Sequence, residues 1–520
     1  MWWRDLFVSI SLANLIYLRP WTQVLTFDRN TDYWLALPPT PPHFIALMLN
    51  VLLLSLVFWI VLIQIRRRGG ILLKLLPFAL LVPLVILLNA TRTLIGDPGK
   101  SVVLGFISHR TALVGICAAC LLVGGFLVGG KRVYQFSYGV LLLLSPLAAL
   151  SFGQAVYHCA TFDPSLTANH QLAPTLPAKP AGAPRFLWII FDEWDQNLTF
   201  TERPNGLALP EIDRLCRESV CASQVETPAM MTDISMPALI TGRELASVHP
   251  KGPSELMLQP PGRGPSIPWS KQPNVFDQAR ALGFNTAVVA WAIPYCRVIS
   301  RSLSGCWWWP GSNQYNADGT TVPQIFWHLP RGLFETIYRS PFGQSLATIR
   351  HEGTYDKVLA QSLEVAAAGQ FGLTLLHMPI PHPPYFYEAS TGRYTRGSAP
   401  IRGLLKQTQK GYIDALALVD RTIGELRTAM ERRNVWDSTT ILFTADHPFR
   451  HRPALDGEPV GHLVPYVLKC AGEKEGIHYD GRFSSLLTRN LIVSTLNGRI
   501  SDARSAVSWL DENGPGSLAQ

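Results

Sequence analysis

The fold is decided by the stretch Phe186-Leu187-Trp188-Ile189-Ile190-Phe191-Asp192-Glu193, in which six apolar residues run directly into two carboxylates. A short apolar run of this kind is typical of a strand buried on both faces. The pattern recurs along the chain, alternating with helical patterns of which Leu405–Glu431 is the clearest; the further predicted strands are Thr286–Ala290, Gly372–His377, Thr439–Thr444 and Val464–Lys469. This alternation predicts an α/β domain with a mostly parallel sheet, whose ligands gather beyond the carboxyl ends of the strands.

The first 153 residues have a different character. Of 520 residues, 48% are hydrophobic and only 16% are charged, which indicates that part of the chain lies in lipid. Four runs are long enough to cross a hydrocarbon core of ~30 Å: Phe44–Ile65, Ile71–Asn89, Thr111–Gly130 and Val133–Gly153. Trp2–Leu18 is a weaker fifth. We therefore expect a five-helix transmembrane domain over residues 1–153, a Pro/Ala-rich linker over 154–185, the α/β domain over 186–500 and a tail over 501–520.

The charge distribution excludes nucleic acid as the expected partner. The chain carries 45 Lys and Arg against 37 Asp and Glu, a net charge of +8, and residues 1–153 contribute all of the excess. A nucleic-acid binder needs its basic surface on the soluble domain. The clusters Arg66-Arg67-Arg68 and Lys131-Arg132 fall in short predicted connections, which marks the cytoplasmic side. This predicts a multi-pass protein of the cytoplasmic membrane, with its N-terminus inside and everything after Gly153 outside.

Six cysteines follow Gly153, an even number that permits disulfides in an oxidising compartment. The pairs closest in sequence are Cys296 with Cys306 and Cys216 with Cys221. We expect these two disulfides.

Acidic and imidazole groups follow two of the predicted strands. Asp192 and Glu193 end the first strand, and Asp446 and His447 follow Thr439–Thr444. Carboxylates suit hard cations such as Ca²⁺ or Mg²⁺, and an added imidazole favours Zn²⁺ or Mn²⁺. The alternative interpretation is that these are solvated charges in turns.

A hydroxyl and several histidines complete the candidate site. Thr232 lies just ahead of a helix that we expect to begin with Ser235 as its N-cap and to end at Gly242. A hydroxyl held against a metal can ionise and attack phosphorus, although capping or turn formation would also explain Thr232. Imidazoles that could bind a second cation, a phosphoryl oxygen or a leaving alkoxide, or that could be structural, are His377, His382 and His462. His451 lies in a basic loop that suits an anionic substrate.

Taken in order, these segments resemble the alkaline phosphatase superfamily, in the sulfatase-like branch that includes lipoteichoic acid synthases and phosphoethanolamine transferases. The matching pieces are Ile189-Ile190-Phe191-Asp192-Glu193, Thr232-x-x-Ser235-x-Pro237 with Thr241-Gly242-Arg243, Pro381-His382-Pro383-Pro384-Tyr385, Thr444-Ala445-Asp446-His447 and His462-x-x-Pro465-Tyr466. Five weak motifs in the right order make a strong signal.

The resemblance implies a role for each matched residue. It makes Glu193, Thr232, Asp446 and His447 ligands of one divalent metal, which Asp192 would join, with Thr232 as the nucleophile. His382 and His462 match positions that hold a second zinc or contact substrate in phosphoethanolamine transferases. His377, His451 and Arg243 are then candidate substrate contacts.

Two departures from the pattern narrow the expected chemistry. Sulfatases use a Cys or Ser in a Cys-x-Pro-x-Arg setting for conversion to formylglycine, and this chain has Thr232 and Met236 at the Cys and Arg positions. Hydrolysis of sulfate esters by that route is therefore disfavoured. Pro448 follows His447 where the family generally has Gly.

The resemblance implies a membrane-anchored transferase that moves a phosphoethanolamine- or phosphoglycerol-type group from a phospholipid to an envelope glycan or lipid through a phosphothreonine. One alternative is a hydrolase with water as acceptor, acting as a phosphodiesterase, phosphatase or sulfatase. Another is a non-catalytic binding protein anchored in the membrane.

Overall fold

The computed structural model describes residues 2–25, 38–68, 81–87, 89, 102–166, 170–180, 182–251, 255–310, 320–333, 346–395, 404–455 and 457–514. These residues form two compact units. The helical unit draws on Met1–Asp28, Pro38–Ser165 and Asn313–Ser340, and the α/β unit on Leu166–Ser312 and Pro341–Gln520.

The helices, in chain order, are α1 Trp2–Ile16, α2 Leu18–Leu25, α3 Pro41–Arg68, α4 Val102–Leu143, α5 Ser145–Ala160, α6 Pro210–Arg217, α7 Thr232–Thr241, α8 Val275–Ala281, α9 Tyr295–Val298, α10 Val322–Leu333, α11 Leu346–Ala368, α12 Leu404–Glu431, α13 Arg452–Leu455, α14 Thr488–Leu496 and α15 Ala503–Asn513. The strands are β1 Phe186–Asp192, β2 Val220–Ala222, β3 Val225–Glu226, β4 Ser247–Pro250, β5 Leu256–Gln259, β6 Ile267–Pro268, β7 Thr286–Trp291, β8 Gly305–Trp309, β9 Leu373–Pro381, β10 Tyr387–Glu388, β11 Arg393–Tyr394, β12 Thr440–Ala445, β13 Tyr466–Lys469, β14 Ile477–Tyr479 and β15 Phe483–Ser484.

Within the described part of the chain, two helical stretches are long and apolar enough to cross a membrane, Pro41–Arg67 and Gly130–Ala160. Only 28% and 17% of their most apolar windows are buried within the protein. The core helix of a soluble protein would be mostly buried, whereas large apolar side chains such as Leu53 and Leu143 are exposed here. The helices are therefore compatible with anchoring in a membrane.

The helix boundaries differ from the expected five spans. The runs expected as separate spans on either side of Lys131-Arg132 are joined in the continuous helix α4, so this basic pair does not lie in a connection. The break falls instead at Leu144, directly before α5, because Pro146 lacks an N–H and its ring disfavours an uninterrupted helix. Of the expected span Ile71–Asn89, only 81–87 and Asn89 are described.

The core of the α/β unit is an eight-stranded sheet with the order β14-β2-β13-β12-β1-β9-β7-β8. Strand β1 lies at its centre, pairs in parallel with β12 and β9, and is buried along its whole length. The pairs β7 with β9, β7 with β8 and β2 with β14 are also parallel, and only β13 runs antiparallel to its neighbours. The predicted mostly parallel α/β fold is confirmed.

Both expected disulfides are present in the α/β unit. Cys216 pairs with Cys221, and Cys296 pairs with Cys306. The second disulfide links the short helix α9 to the edge strand β8.

The expected start of the helix after Thr232 was wrong. Helix α7 begins at Thr232 itself, with Met231 as its N-cap. Ser235 lies inside the helix, where its hydroxyl donates to the backbone carbonyl of Asp446 at 2.5 Å instead of capping. The helix ends, as expected, at Gly242, which adopts the left-handed conformation. Thr232 is therefore the first residue of helix α7.

Candidate active site

Three adjacent strands bring the candidate residues together. Asp192 is the last residue of β1, and Asp446 and His447 directly follow β12, which pairs in parallel with β1. His377 lies on β9, on the other side of β1, opposite Ile190. All four side chains are buried.

This cluster has the donor atoms of a metal site. Asp192, His377 and Asp446 each offer one ligand atom, and these atoms lie within 4.8 Å of one another. His447 Nε2 lies 3.4 Å from Asp446 Oδ2 and 3.8 Å from Asp192 Oδ1. Asp192 Oδ1, Asp446 Oδ2 and His377 Nε2 are buried without a hydrogen-bond partner among the described residues. Two carboxylates and one imidazole with unpartnered buried atoms, with the His447 imidazole beside them, fit a divalent cation, and the mixture favours Zn²⁺ or Mn²⁺.

Burial and the charges of neighbouring groups shift the pKa values of the carboxylates and of His377 in this cluster. Burial, together with the charges of Asp446 and Glu193, raises the pKa of Asp192 well above its usual range. Burial acts on Asp446 in the same direction, but the neighbouring His447 and His377 outweigh it and lower the pKa of Asp446. Burial lowers the pKa of His377 to about 4. Two carboxylates whose pKa values are driven apart in one buried cluster are typical of functional sites.

Thr232 faces this cluster from the start of α7. Its Oγ1 lies 3.2 Å from His447 Nε2 and 3.4 Å from Asp192 Oδ2. His447 Nδ1 donates to the carbonyl of Pro448 at 2.9 Å, which leaves Nε2 with a lone pair directed at Thr232. Pro448, which departs from the family pattern, thus supplies the carbonyl that orients the imidazole. Thr232 is partly exposed, so a substrate can reach it.

Glu193 lies beside the cluster and pairs with Arg450 through one of its carboxylate oxygens. It adopts a left-handed backbone conformation with φ 66°, an uncommon one for a residue other than glycine. Its Oε1 accepts from Arg450 Nε at 2.6 Å, while its Oε2 is buried without a hydrogen-bond partner among the described residues. Arg450 also approaches His382 Nε2 at 3.5 Å and Met231 Sδ at 3.0 Å. A guanidinium therefore lies beside the residue that precedes Thr232.

Of the remaining candidates, His382 lies next to this group, and three others do not. His382 Nδ1 donates to the carbonyl of Pro383 at 2.6 Å, which leaves Nε2 facing Arg450. His451 is exposed and its ring contacts Phe449. The imidazole of His462 is exposed, and only its backbone carbonyl, which accepts from Thr227, has a described contact. Arg243 follows the opposite end of α7 from Thr232, where it donates to Gln272.

Three residues that contact the site were not predicted from the sequence: Tyr295, Tyr412 and Arg450. The hydroxyl of Tyr295, on α9, lies 3.1 Å from His377 Nδ1, so it holds that imidazole in place. Tyr412, on α12, donates to the carbonyl of Glu193 at 2.8 Å. Arg450 lies in the same loop as Asp446 and His447, so its closeness in sequence to these two candidates could have indicated that it belongs to the site. The others come from helices remote in sequence.

His351 is expected to make folding sensitive to acid. Burial, followed by the charge of His382, lowers the pKa of His351 to about 3, against about 6.5 in an unfolded chain. As the pH falls from 6.5 towards 3, the unfolded chain takes up a proton that the folded protein does not, so stability is lost across this window. We expect the thermal unfolding midpoint to fall less between pH 7 and pH 4.5 in a His351→Gln variant than in the parent. The exposed His451→Gln is the control, and parallel curves for all three proteins would contradict the prediction.

Comparison with known proteins identifies the family. The family model described as Sulfatase matches residues 184–492. Among solved structures, the chain is similar to phosphonate monoester hydrolase SpPMH from Silicibacter pomeroyi, with 14% identity over 60% of this chain and 73% of that chain and a TM-score of 0.41. It is also similar to a protein in the alkaline phosphatase superfamily from Vibrio parahaemolyticus, with 14% identity over 66% and 74% and a TM-score of 0.37. A third similar structure is PsFucS1 sulfatase from Pseudoalteromonas sp., with 14% identity over 64% and 75% and a TM-score of 0.39.

The comparison with curated proteins found no match. The family match, however, spans more than half of the chain and contains all eight strands of the main sheet. It also contains Asp192, Thr232, His377, Asp446 and His447. The chain therefore belongs to the sulfatase family.

Proposed function

We propose that the protein is a membrane-anchored, metal-dependent transferase of the sulfatase family that moves a phosphoryl-linked group from a phospholipid to an envelope glycan or lipid. The observation that carries the proposal is the position of Thr232 Oγ1, within 3.4 Å of both Asp192 Oδ2 and His447 Nε2. A partly exposed hydroxyl at the start of a helix, facing a buried carboxylate and imidazole, suits a nucleophile.

The residues of the cluster would divide the chemistry between them. A divalent cation held by Asp192, Asp446, His377 and His447 would supply positive charge that stabilises an ionised hydroxyl and the oxygens on phosphorus. Asp192 Oδ2, 3.4 Å from Thr232 Oγ1, can accept the hydroxyl proton, while the lone pair of His447 Nε2 would be used to hold the cation. The positive end of the α7 helix dipole lies beside Thr232 and would favour an anionic phosphoryl group there.

The reaction has two displacements. Thr232 Oγ1 forms a bond to phosphorus, the bond from phosphorus to the diacylglycerol oxygen breaks, and that oxygen takes up a proton. A hydroxyl of the acceptor then loses its proton and forms a bond to phosphorus, the bond from phosphorus to Thr232 Oγ1 breaks, and Oγ1 takes up a proton. His382, whose Nε2 faces Arg450 beside the cluster, is our candidate for carrying a proton in either step.

The helical unit supports a lipid as donor. Two stretches long and apolar enough to span a membrane are mostly not buried in the protein. We propose a multi-pass anchor with a cytoplasmic N-terminus, which directs Arg66-Arg67-Arg68 inward and the α/β unit outward. The two disulfides agree with an oxidising compartment for the α/β unit.

A hydrolase with water as acceptor is the second candidate, and membership of the sulfatase family favours it. Nothing in the geometry of Thr232 distinguishes water from an alcohol as the second nucleophile. The acceptor is therefore the point that an experiment must decide.

Mass spectrometry of the peptide that contains Thr232 tests both proposals. Full-length protein loaded with Zn²⁺ or Mn²⁺ is incubated in nanodiscs of phosphatidylethanolamine or phosphatidylglycerol carrying isotope-labelled headgroups. Transfer predicts a labelled phosphoethanolamine or phosphoglycerol adduct on Thr232 and release of diacylglycerol. Continuous release of free labelled headgroup phosphate ester without any acceptor would indicate a hydrolase. Loaded, folded protein that gives neither an adduct nor diacylglycerol would contradict the proposed donor.

A further inference from the structure

Helix α10 belongs to the helical unit although the chain on both sides of it belongs to the α/β unit. The α/β unit extends to Ser312 and resumes at Pro341, and Asn313–Ser340 groups with the helical unit. Ile325 and Leu329, one helical turn apart, are buried in the same apolar cluster as Phe44 and Leu47 of α3. The segment between these two parts of the α/β unit therefore contributes one helix to the helical unit.

A buried amide fixes this contact. Asn50 lies on α3 and is only 4% exposed. Its Nδ2 donates to the backbone carbonyl of Phe326 on α10 at 3.1 Å, and its Oδ1 accepts from the hydroxyl of Tyr17 on α1 at 3.0 Å. Because a buried amide is costly unless both ends are hydrogen-bonded, these bonds hold α10 at one place on α3.

That place lies in the first half of α3, away from its basic cluster. Asn50 and Arg66 are 16 residues apart in one helix, which is about 24 Å along its axis and comparable with the ~30 Å hydrocarbon core of a bilayer. In the half of α3 that carries the basic cluster, Trp59 Nε1 donates to the backbone of Trp2, whose side chain is exposed. In the other half, Trp327 follows the residue of α10 that Asn50 contacts and is 69% exposed. Exposed tryptophans near both ends of a span are typical of the two membrane–water interfaces.

We propose that α10 is an interfacial helix that binds the surface of a phospholipid bilayer and places the Trp327 indole at headgroup level in the outer leaflet. Lipid is the occupant because α3 itself exposes large apolar side chains beside the contact, including Ile45, Leu49 and Leu53. The amphipathic indole suits the boundary between that apolar surface and water. The α/β unit would thereby be tied to the membrane through its own sequence as well as through the segment after α5. This inference rests on the membrane anchoring in the proposed function.

Photo-crosslinking of the full chain tests the inference without reference to activity. Benzoylphenylalanine is introduced at Trp327, at Leu53 on α3, or at the exposed Arg433 of the α/β unit, and each protein is irradiated in nanodiscs of phosphatidylethanolamine and phosphatidylglycerol. We expect phospholipid adducts at 327 and 53, in yields at least about ten-fold above that at 433.

The controls separate failure of this inference from failure of membrane anchoring. Lipid adducts at 53 but not at 327, or adducts at 327 to a second copy of the chain, would overturn the interfacial role of α10 and leave anchoring intact. Lipid adducts at neither position would overturn both. If the variant at 327 does not fold, exposed Gln324 on the same helix provides a second position for the probe.

Discussion

Replacing Thr232 with alanine is expected to lower turnover by about 10³-fold or more, because it removes the atom that forms the covalent intermediate. The fold is expected to survive. Thr232 is partly exposed, its hydroxyl bonds only side chains of the cluster, namely Asp192, Asp446 and His447, in the described contacts, and the N-cap of α7 is Met231. The measurement is the initial rate of diacylglycerol release from phospholipid nanodiscs, together with the thermal unfolding midpoint.

Two further variants make this result specific. Thr232→Ser keeps a hydroxyl and is expected to retain measurable turnover and a labelled adduct. Thr201→Ala removes an exposed threonine hydroxyl that bonds Asn197, outside the cluster, and is expected to match the parent. A folded Thr232→Ala protein with turnover within ten-fold of the parent would show that another group is the nucleophile.

Replacing Asp446 with asparagine is expected to weaken metal binding by about 100-fold or more and to abolish turnover with it. Asp446 Oδ1 accepts from the backbone N–H groups of Glu193 and His447, at 3.2 and 2.9 Å. Its Oδ2 is the atom that faces the cluster without a hydrogen-bond partner among the described residues. Asparagine can keep the first set of contacts, but it removes the negative charge that a cation requires. The measurement is metal bound per chain after dialysis against defined free Zn²⁺ or Mn²⁺.

Asp414→Asn is the matched control for this prediction. The carboxylate of Asp414 lies on α12, where it accepts from Lys410 at 2.9 Å. We expect this variant to bind metal as the parent does. One metal per chain, bound by Asp446→Asn with the affinity of the parent, would rule out Asp446 as a ligand.

Local sequence patterns correctly predicted several main elements of the α/β unit. The apolar run ending in Asp192 is strand β1, and the expected helix over Leu405–Glu431 is α12. Both disulfides followed from closeness in sequence. Runs of apolar residues and short spacings depend on local geometry, so they can be recognised in the sequence. The order of the motifs along the chain then gave Thr232, Asp446 and His447 as candidates.

Local patterns could not determine where side chains point at the edge of the sheet. The resemblance implies that Glu193 is a metal ligand, and in the structure its Oε1 pairs with Arg450, while the ligand atoms that lie within 4.8 Å of one another belong to Asp192, His377 and Asp446. Likewise, Ser235 looked like an N-cap, but its hydroxyl contacts Asp446 across the fold, and α7 starts at Thr232.

Five strands of the main sheet, both disulfides and the chemical types of the candidate site could thus be predicted from the sequence, because each depends on residues that are close in the chain. The folded structure was needed to show that His377 joins Asp192 and Asp446, that Tyr295 holds His377, and that α10 packs on α3. These outcomes depend on contacts between elements far apart in sequence. Such contacts are set by the packing of the whole fold, and no spacing along the chain records them.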